Sequence, residues 1–366
     1  MEERAPDQTH SWLHAWDSQS PHRTGTAGDH AGAAWLTEAA RALGATVIHE
    51  TFMLDRLDPG DTYLEVEGTR IPGVPVFDAP ATSGVAGVLG TDIAVATLAP
   101  GAVYTGEYRR LRDDAGHAGL VIVCQGTHPG MGLLNAEQFG TPYGAPAIHV
   151  DTPIPTGHRA RLVSESSRTR AGASNVVVTL KGTDPSRPPV VVMTPRSSWW
   201  QSAAERGGGI VCWLETLRAL LASPPACDVV LTANSGHELG HLGLDAFIER
   251  RLGWDRAGGA TWVHYGANIG AAGGALSVVS ADDAMRAAMQ SALTEAGRPP
   301  DTMAPKTLVP SGETRDIHKA GGRYATLVGT NPWFHLPSDR YPDTVDVPAI
   351  ARIARGAAAM VLDLTR

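Results

Sequence analysis

Asp228-Val-Val-Leu-Thr-Ala-Asn-Ser-Gly-His-Glu-Leu-Gly-His-Leu-Gly243 is the stretch on which the fold turns. Val229 to Ala233 is a short, mostly apolar run, which reads as a buried strand. Asn234, Ser235 and Gly236 supply a turn, and His237-Glu238-Leu239-Gly240-His241 follows. The same five residues on a helix would set two imidazoles on one face to hold a zinc ion, with the glutamate as general base. Gly240 and Gly243 count against that helix, each costing roughly 1 kcal/mol relative to alanine. No third ligand stands at the usual downstream spacing. The pattern therefore predicts a loop at the end of a buried strand, carrying His237 and Glu238 as its catalytic candidates.

Strand and helix signals alternate on both sides of this stretch. Strands are predicted over Asn175–Leu180, Val190–Met193, Thr261–Tyr265 and Tyr324–Val328, and helices over 209–221, 244–251, 282–296 and 347–364. Upstream, Asp29 is the expected N-cap of a helix ending at Leu43 and Gly44, and Thr46–Phe52 alternates like a strand. Between about Pro72 and Arg170 the helix signal fades, and short β-rich runs such as Gly119–Cys124 and Ala147–Val150 take over. The expected fold is α/β: a mixed, mostly parallel sheet with helices on both faces. Residues 1–70 and 171–366 would form it, with a small β-rich domain, 71–170, inserted. Ligands gather at the carboxyl ends of such strands, where the loops carrying Arg196, His237, Tyr265 and Asn331 leave the sheet.

Composition narrows the function. The chain has 366 residues, 43% apolar and 19% charged, with a net charge of −8. That acidic balance argues against nucleic acid, which needs a basic face. No stretch reaches the roughly 20 apolar residues that span a membrane, and the N-terminus lacks an apolar leader. Three cysteines give neither a disulfide framework nor a metal spacing, so a cytoplasmic location is expected. A homo-oligomer is left open, with the insert as a dimer surface or pocket lid.

Five segments carry a resemblance. They are His22-Arg-Thr-Gly25, Asn175-Val-Val-Val178, Gly209–Arg218, Ser235–Gly243, and Trp333-Phe-His335 followed by Asp339 and Asp343. In order and spacing the chain resembles the zinc aminopeptidase family that includes glutaminyl cyclases and transferrin-receptor-like proteins. The stretch 71–170 looks like the protease-associated domain that the family often inserts there.

The resemblance implies a site of two zinc ions, held by two histidines and three carboxylates, with a separate glutamate as base. This chain departs from it. Thr194-Pro-Arg-Ser197 stands where a His-x-Asp pair is expected. Glu205 is nearest to the bridging Asp, and His237 replaces the base. Glu238 and His335 are retained, and His264 or Asn268 stands near the remaining Asp. The resemblance thus implies one zinc on Glu205, Glu238 and His335, or a metal-free site in which Arg196 or Arg315 supplies the positive charge. Arg196, Trp199, Trp200, His264, Glu313, Arg315, Asp316, His318, Trp333 and Arg340 are the expected substrate-lining residues, as aromatic walls and carboxylate-binding arginines. The expected function is hydrolysis of amide or peptide-like bonds in a small substrate. The alternatives are a non-catalytic member that binds a peptide-like ligand, and an acyl-transferring cyclase.

Overall fold

The computed structural model describes residues 4–114 and 116–366. Its helices are α1 (Arg4–Asp17), α2 (Ala27–Ala42), α3 (Gly106–Asp113), α4 (Ala203–Ala222), α5 (Leu242–Glu249), α6 (Asp283–Glu295), α7 (Thr314–Ala320) and α8 (Val347–Leu364). Its strands are β1 (Val47–Val66), β2 (Thr69–Pro72), β3 (Val74–Pro75), β4 (Thr82–Val88), β5 (Ile93–Leu98), β6 (Gly119–Cys124), β7 (Ala147–Val150), β8 (Arg159–Leu180), β9 (Val190–Pro195), β10 (Val229–Asn234), β11 (Thr261–Tyr265), β12 (Leu276–Val279), β13 (Thr302–Met303) and β14 (Arg323–Gly329).

Ten strands form one mixed sheet in the order β13-β12-β14-β11-β9-β10-β8-β1-β2, with β4 on β8. At its centre β14, β11, β9 and β10 run parallel. Parallel strands are covered on both faces, which is why these runs are apolar at nearly every position. Val190 and Val192 of β9 pack with Trp213, Leu217 and Ile353 from α4 and α8. Val191 and Met193 point the other way, to Leu244, Phe247 and Ile317 from α5 and α7. Each such side chain contributes about 1.5–3 kcal/mol on burial.

β1 and β8 are far longer than Thr46–Phe52 and Asn175–Leu180 suggest. β10 pairs with β8 only over Val176–Leu180, and the rest of β1 and β8 continues outward as an antiparallel arm. A second sheet, β3-β7-β6-β5, lies against that arm, with Val121 and Val123 packed on Leu64 and Leu162. The expected boundaries at 70/71 and 170/171 fall within β2 and within β8.

Two local readings are corrected. Asp29 is not the N-cap of α2, since Thr26 holds that position. The Asp29 carboxylate instead accepts from Gly25 N at 2.8 Å and from Ser235 Oγ at 2.9 Å. The helix expected from Gly209 begins at Ala203, because Gly207-Gly208-Gly209 marks close contact rather than a break. A Cβ on Gly208 would lie 1.8 Å from the Ile269 carbonyl oxygen. Among the described residues no helix is long and apolar enough to cross a membrane.

Candidate functional site

The parallel strands β9, β10, β11 and β14 end together, so the segments leaving them meet. After β10, Gly236 turns with φ 81° into a short 3-10 turn, His237–Leu239, and Gly240 and His241 are also left-handed before α5 starts. The His-Glu pair thus sits on a strand-end loop, as its spacing predicts, and not on a helix.

Glu205, Glu238 and His335 converge, but round the guanidinium of Arg206. Arg206 Nη2 lies 2.6 Å from Glu238 Oε1 and 2.8 Å from Glu205 Oε1, and Nε donates to the Ser197 carbonyl at 2.7 Å. The outer carboxylate oxygens are held by hydroxyls: Ser197 Oγ donates to Glu238 Oε2 at 2.7 Å and Ser202 Oγ to Glu205 Oε2 at 3.0 Å. His335 Nε2 is 3.2 Å from Glu205 Oε1, and its Nδ1 bonds the Leu133 carbonyl at 2.7 Å. Burial pushes Glu205 up, but Arg206 and His335 outweigh it and hold the carboxyl down at about 2. Asp339 accepts from Ala204 N and Glu205 N at 2.8 and 2.9 Å, fixing the start of α4; burial, helped by Glu205, pushes it up to about 6.

Beside this cluster His237, His241, His264 and Glu313 are buried too, yet each keeps one polar atom without a hydrogen bond: His237 Nδ1, His241 Nε2, His264 Nε2 and Glu313 Oε1. The other polar side-chain atoms of His241, His264 and Glu313 are tied down. His241 Nδ1 is 2.6 Å from Asp316, His264 Nδ1 is 2.6 Å from Thr314 Oγ1, and Glu313 Oε2 accepts from Asn234 at 3.0 Å. The His237 and Glu313 side chains approach to 3.6 Å. Burial, reinforced by Arg206, holds His237 well below its usual value, and burial brings His264 down to about 3. Both rings are neutral at pH 7. Burial pushes His241 down as well, but the Asp316 bond and the Glu313 charge outweigh it.

The other expected lining residues divide. Trp200 Nε1 donates to the His335 carbonyl at 3.0 Å, so it braces the site. Arg315 pairs with Glu137 at 2.6 Å. Arg196 is turned away, buried against Asp29 at 2.9 Å with Nη2 on the Ser174 carbonyl at 2.8 Å. Arg340 pairs with Asp17, His318 bonds the Tyr324 hydroxyl, Trp199 packs on Phe77, and Trp333 stacks on His128. The guanidinium that meets the site carboxylates is therefore Arg206, not Arg196 or Arg315. Sequence reading passed over Arg206, Ser197 and Ser202. The signal becomes readable only once the helix is seen to begin at Ala203: a cation in its first turn, where the macrodipole disfavours it unless a carboxylate is at hand.

Segment 125–146 of the second sheet's region roofs the site. Ala136 N donates to the Glu238 carbonyl at 2.7 Å, Leu133 holds His335, and Thr127 Oγ1 donates to the Pro332 carbonyl at 2.6 Å. Ser202, His241, Asn268 and His335 all adopt positive φ without being glycine; outside the site only Glu67 does so among the described residues. Such conformations concentrate where surrounding contacts over-determine the backbone, as at binding and catalytic sites.

No family model matches the sequence, and no curated protein matches it. Solved structures do match in fold. A zinc aminopeptidase from Bacillus subtilis aligns with TM-score 0.79 at 17% identity, over 99% of this chain and 95% of that one. A peptidase M28 precursor from Shewanella amazonensis aligns with TM-score 0.71 at 15% identity, over 100% and 96%. Porphyromonas gingivalis glutaminyl cyclase aligns with TM-score 0.54 at 10% identity, over 98% of each chain.

A zinc ion in such a fold needs three or four donors at about 2.0–2.3 Å. Among the described residues no three His, Cys, Asp or Glu are arranged to hold a metal ion. The facing oxygens of Glu205 and Glu238 already bind a cation, and a divalent ion beside that guanidinium would be repelled. The residues as they stand do not fit zinc, although the fold that presents them is the zinc-exopeptidase-like one shared by aminopeptidases and a glutaminyl cyclase.

Proposed function

We propose that this chain hydrolyses amide or peptide-like bonds of a small substrate without a metal. The observation that carries this is the placement of a neutral, buried His237, its Nδ1 free of hydrogen bonds, next to a cluster charged by Arg206. A neutral imidazole can take a proton from water. Arg206 Nη1, buried and without a hydrogen bond, is a donor suited to an oxyanion. In this reading water attacks the carbonyl carbon as His237 takes its proton. The oxyanion is held by Arg206. The C–N bond then breaks, and the amine leaves with the proton from His237. Residues 71–170 act as a protease-associated-like unit whose segment 125–146 closes over the substrate.

A second reading, ligand binding without turnover, is favoured by one observation: His237, Glu238, Glu205, Arg206 and His335 are all at most 6% exposed. One experiment separates the two. Chelator-treated protein is assayed on aminoacyl-anilides and N-acyl amino acids, with thermal shift measured in parallel. Turnover that survives chelation and vanishes in His237→Ala supports the hydrolase. A ligand-induced shift with no turnover, with or without added zinc, supports the binder.

A further inference from the structure

We infer that Arg206 is a built-in counter-cation standing where a divalent ion would otherwise bind, so that removing its charge opens a divalent-cation site on Glu205, Glu238 and His335. The surroundings of these three are those of metal ligands. His335 commits Nδ1 to the Leu133 carbonyl, which leaves Nε2 directed at Glu205 Oε1, 3.2 Å away. Histidine ligands are commonly fixed through their other nitrogen in this manner. Ser197 and Ser202 occupy the outer oxygen of each carboxylate. One oxygen of each is left facing a single point, and Arg206 Nη2 fills it at 2.6 and 2.8 Å. Those distances suit a guanidinium nitrogen and exceed the roughly 2.0–2.2 Å of a zinc–carboxylate bond, so the cluster must contract once the arginine is gone.

The alternatives open to the emptied cluster are unfavourable. Glu205 and Glu238 are 0% and 2% exposed. Two carboxylates buried side by side cannot both stay ionised without a cation. A divalent ion restores the balance and has a nitrogen ligand waiting. This inference does not depend on turnover, because its readout is bound metal.

The test uses the full chain, with Arg206→Ala, the bulkier Arg206→Met, and Arg206→Lys as the charge-retaining control. Each is stripped with chelator, then titrated with zinc and with cobalt, whose visible spectrum reports the ligand set. Wild type and Arg206→Lys should bind no ion at this site. Arg206→Ala or Arg206→Met should bind one per chain and lose it when Glu238→Gln is added. Their melting temperature should fall by about 10 °C in chelator and recover with one equivalent of metal. Wild type binding an ion that Glu238→Gln removes would overturn the inference. So would failure of both charge-removing variants to take up metal, whether they fold without it or stay unfolded in its presence.

Discussion

On one side of the strand ends, Glu205, Arg206, Glu238 and His335 hold one another through contacts of 2.6–3.2 Å. On the other, His237, His241, His264 and Glu313 each keep a buried polar atom without a hydrogen bond. Both groups are equally removed from solvent. The first is bound together by ion pairs that counter its charges, with Arg206 Nη1 left without a hydrogen bond. The second is made mainly of imidazole rings, each with one ring nitrogen left open, and an orphaned buried polar group costs about 1–3 kcal/mol. The difference separates the two proposed roles: the Arg206 cluster is an ion-paired frame that offers Nη1 as a donor, and the histidine cluster offers the proton acceptor of the proposed hydrolysis.

The largest expected effect tests the frame. Arg206→Met leaves two buried carboxylates facing each other and should cost about 3–5 kcal/mol in urea unfolding with chelator present. A loss below about 1 kcal/mol would erase the distinction between the two sides. His237→Ala should do the reverse. Stability should change by less than about 1 kcal/mol, while kcat/KM on a cleaved substrate drops about 10²–10⁴-fold, as for loss of a general base. A variant that unfolds before it loses activity would place His237 with the frame.

Acid sharpens the contrast further. Burial holds His264 at about 3 and His237 well below its ordinary value, whereas both take a proton near 6.5 when unfolded. The unfolded chain then binds more protons below pH 6.5, so stability is highest above that value. His264 should contribute a fall of about 1.4 kcal/mol per pH unit from 6.5 toward 3, His237 a fall in the same direction, and the buried His22 and His149, held at about 3 and about 4, add to it. His241 is raised and opposes this trend. Glu205, held at about 2, adds a loss only below about pH 4.5, its stabilisation being complete above that. Urea midpoints at pH 8, 6.5 and 5 measure the slope, and a flat profile would show the histidines to be hydrated. The smallest effect belongs to Arg315→Ala. It removes a partly exposed pair with Glu137 that ties α7 to the roof, worth about 0.2–1 kcal/mol, and should move KM more than kcat.

Much of the frame was legible. Thr261–Tyr265 and Val347–Leu364 have the bounds their periodicity predicts, because apolar run length and capping are local properties. The strand-end reading of His237-Glu238 rested on the turn after Ala233 and on Gly240 and Gly243; Gly240 is left-handed as expected, whereas Gly243 falls inside α5. The arm of β1 and β8 was not legible past Phe52, since Asp55, Asp58, Arg168 and Arg170 are polar and only their cross-strand pairing makes them strand. Arg196 is expected to clamp a substrate carboxylate because it shares the strand-end loops with Arg315 and Arg340, whereas its partner in the structure is Asp29, 167 positions away.

By itself the sequence determined the alternation of strands and helices, the turn before His237, and the two residue types that reach the cleft from β10 and from the loop after β14. The alternation and the turn follow from periodicity and backbone preference within a dozen residues, and the residue after β14 from the family resemblance. Tertiary structure alone decided which arginine meets Glu205 and Glu238. That choice depends on where α4 starts, how closely its glycines let it approach Ile269, and which carboxylates then fall within reach of a guanidinium.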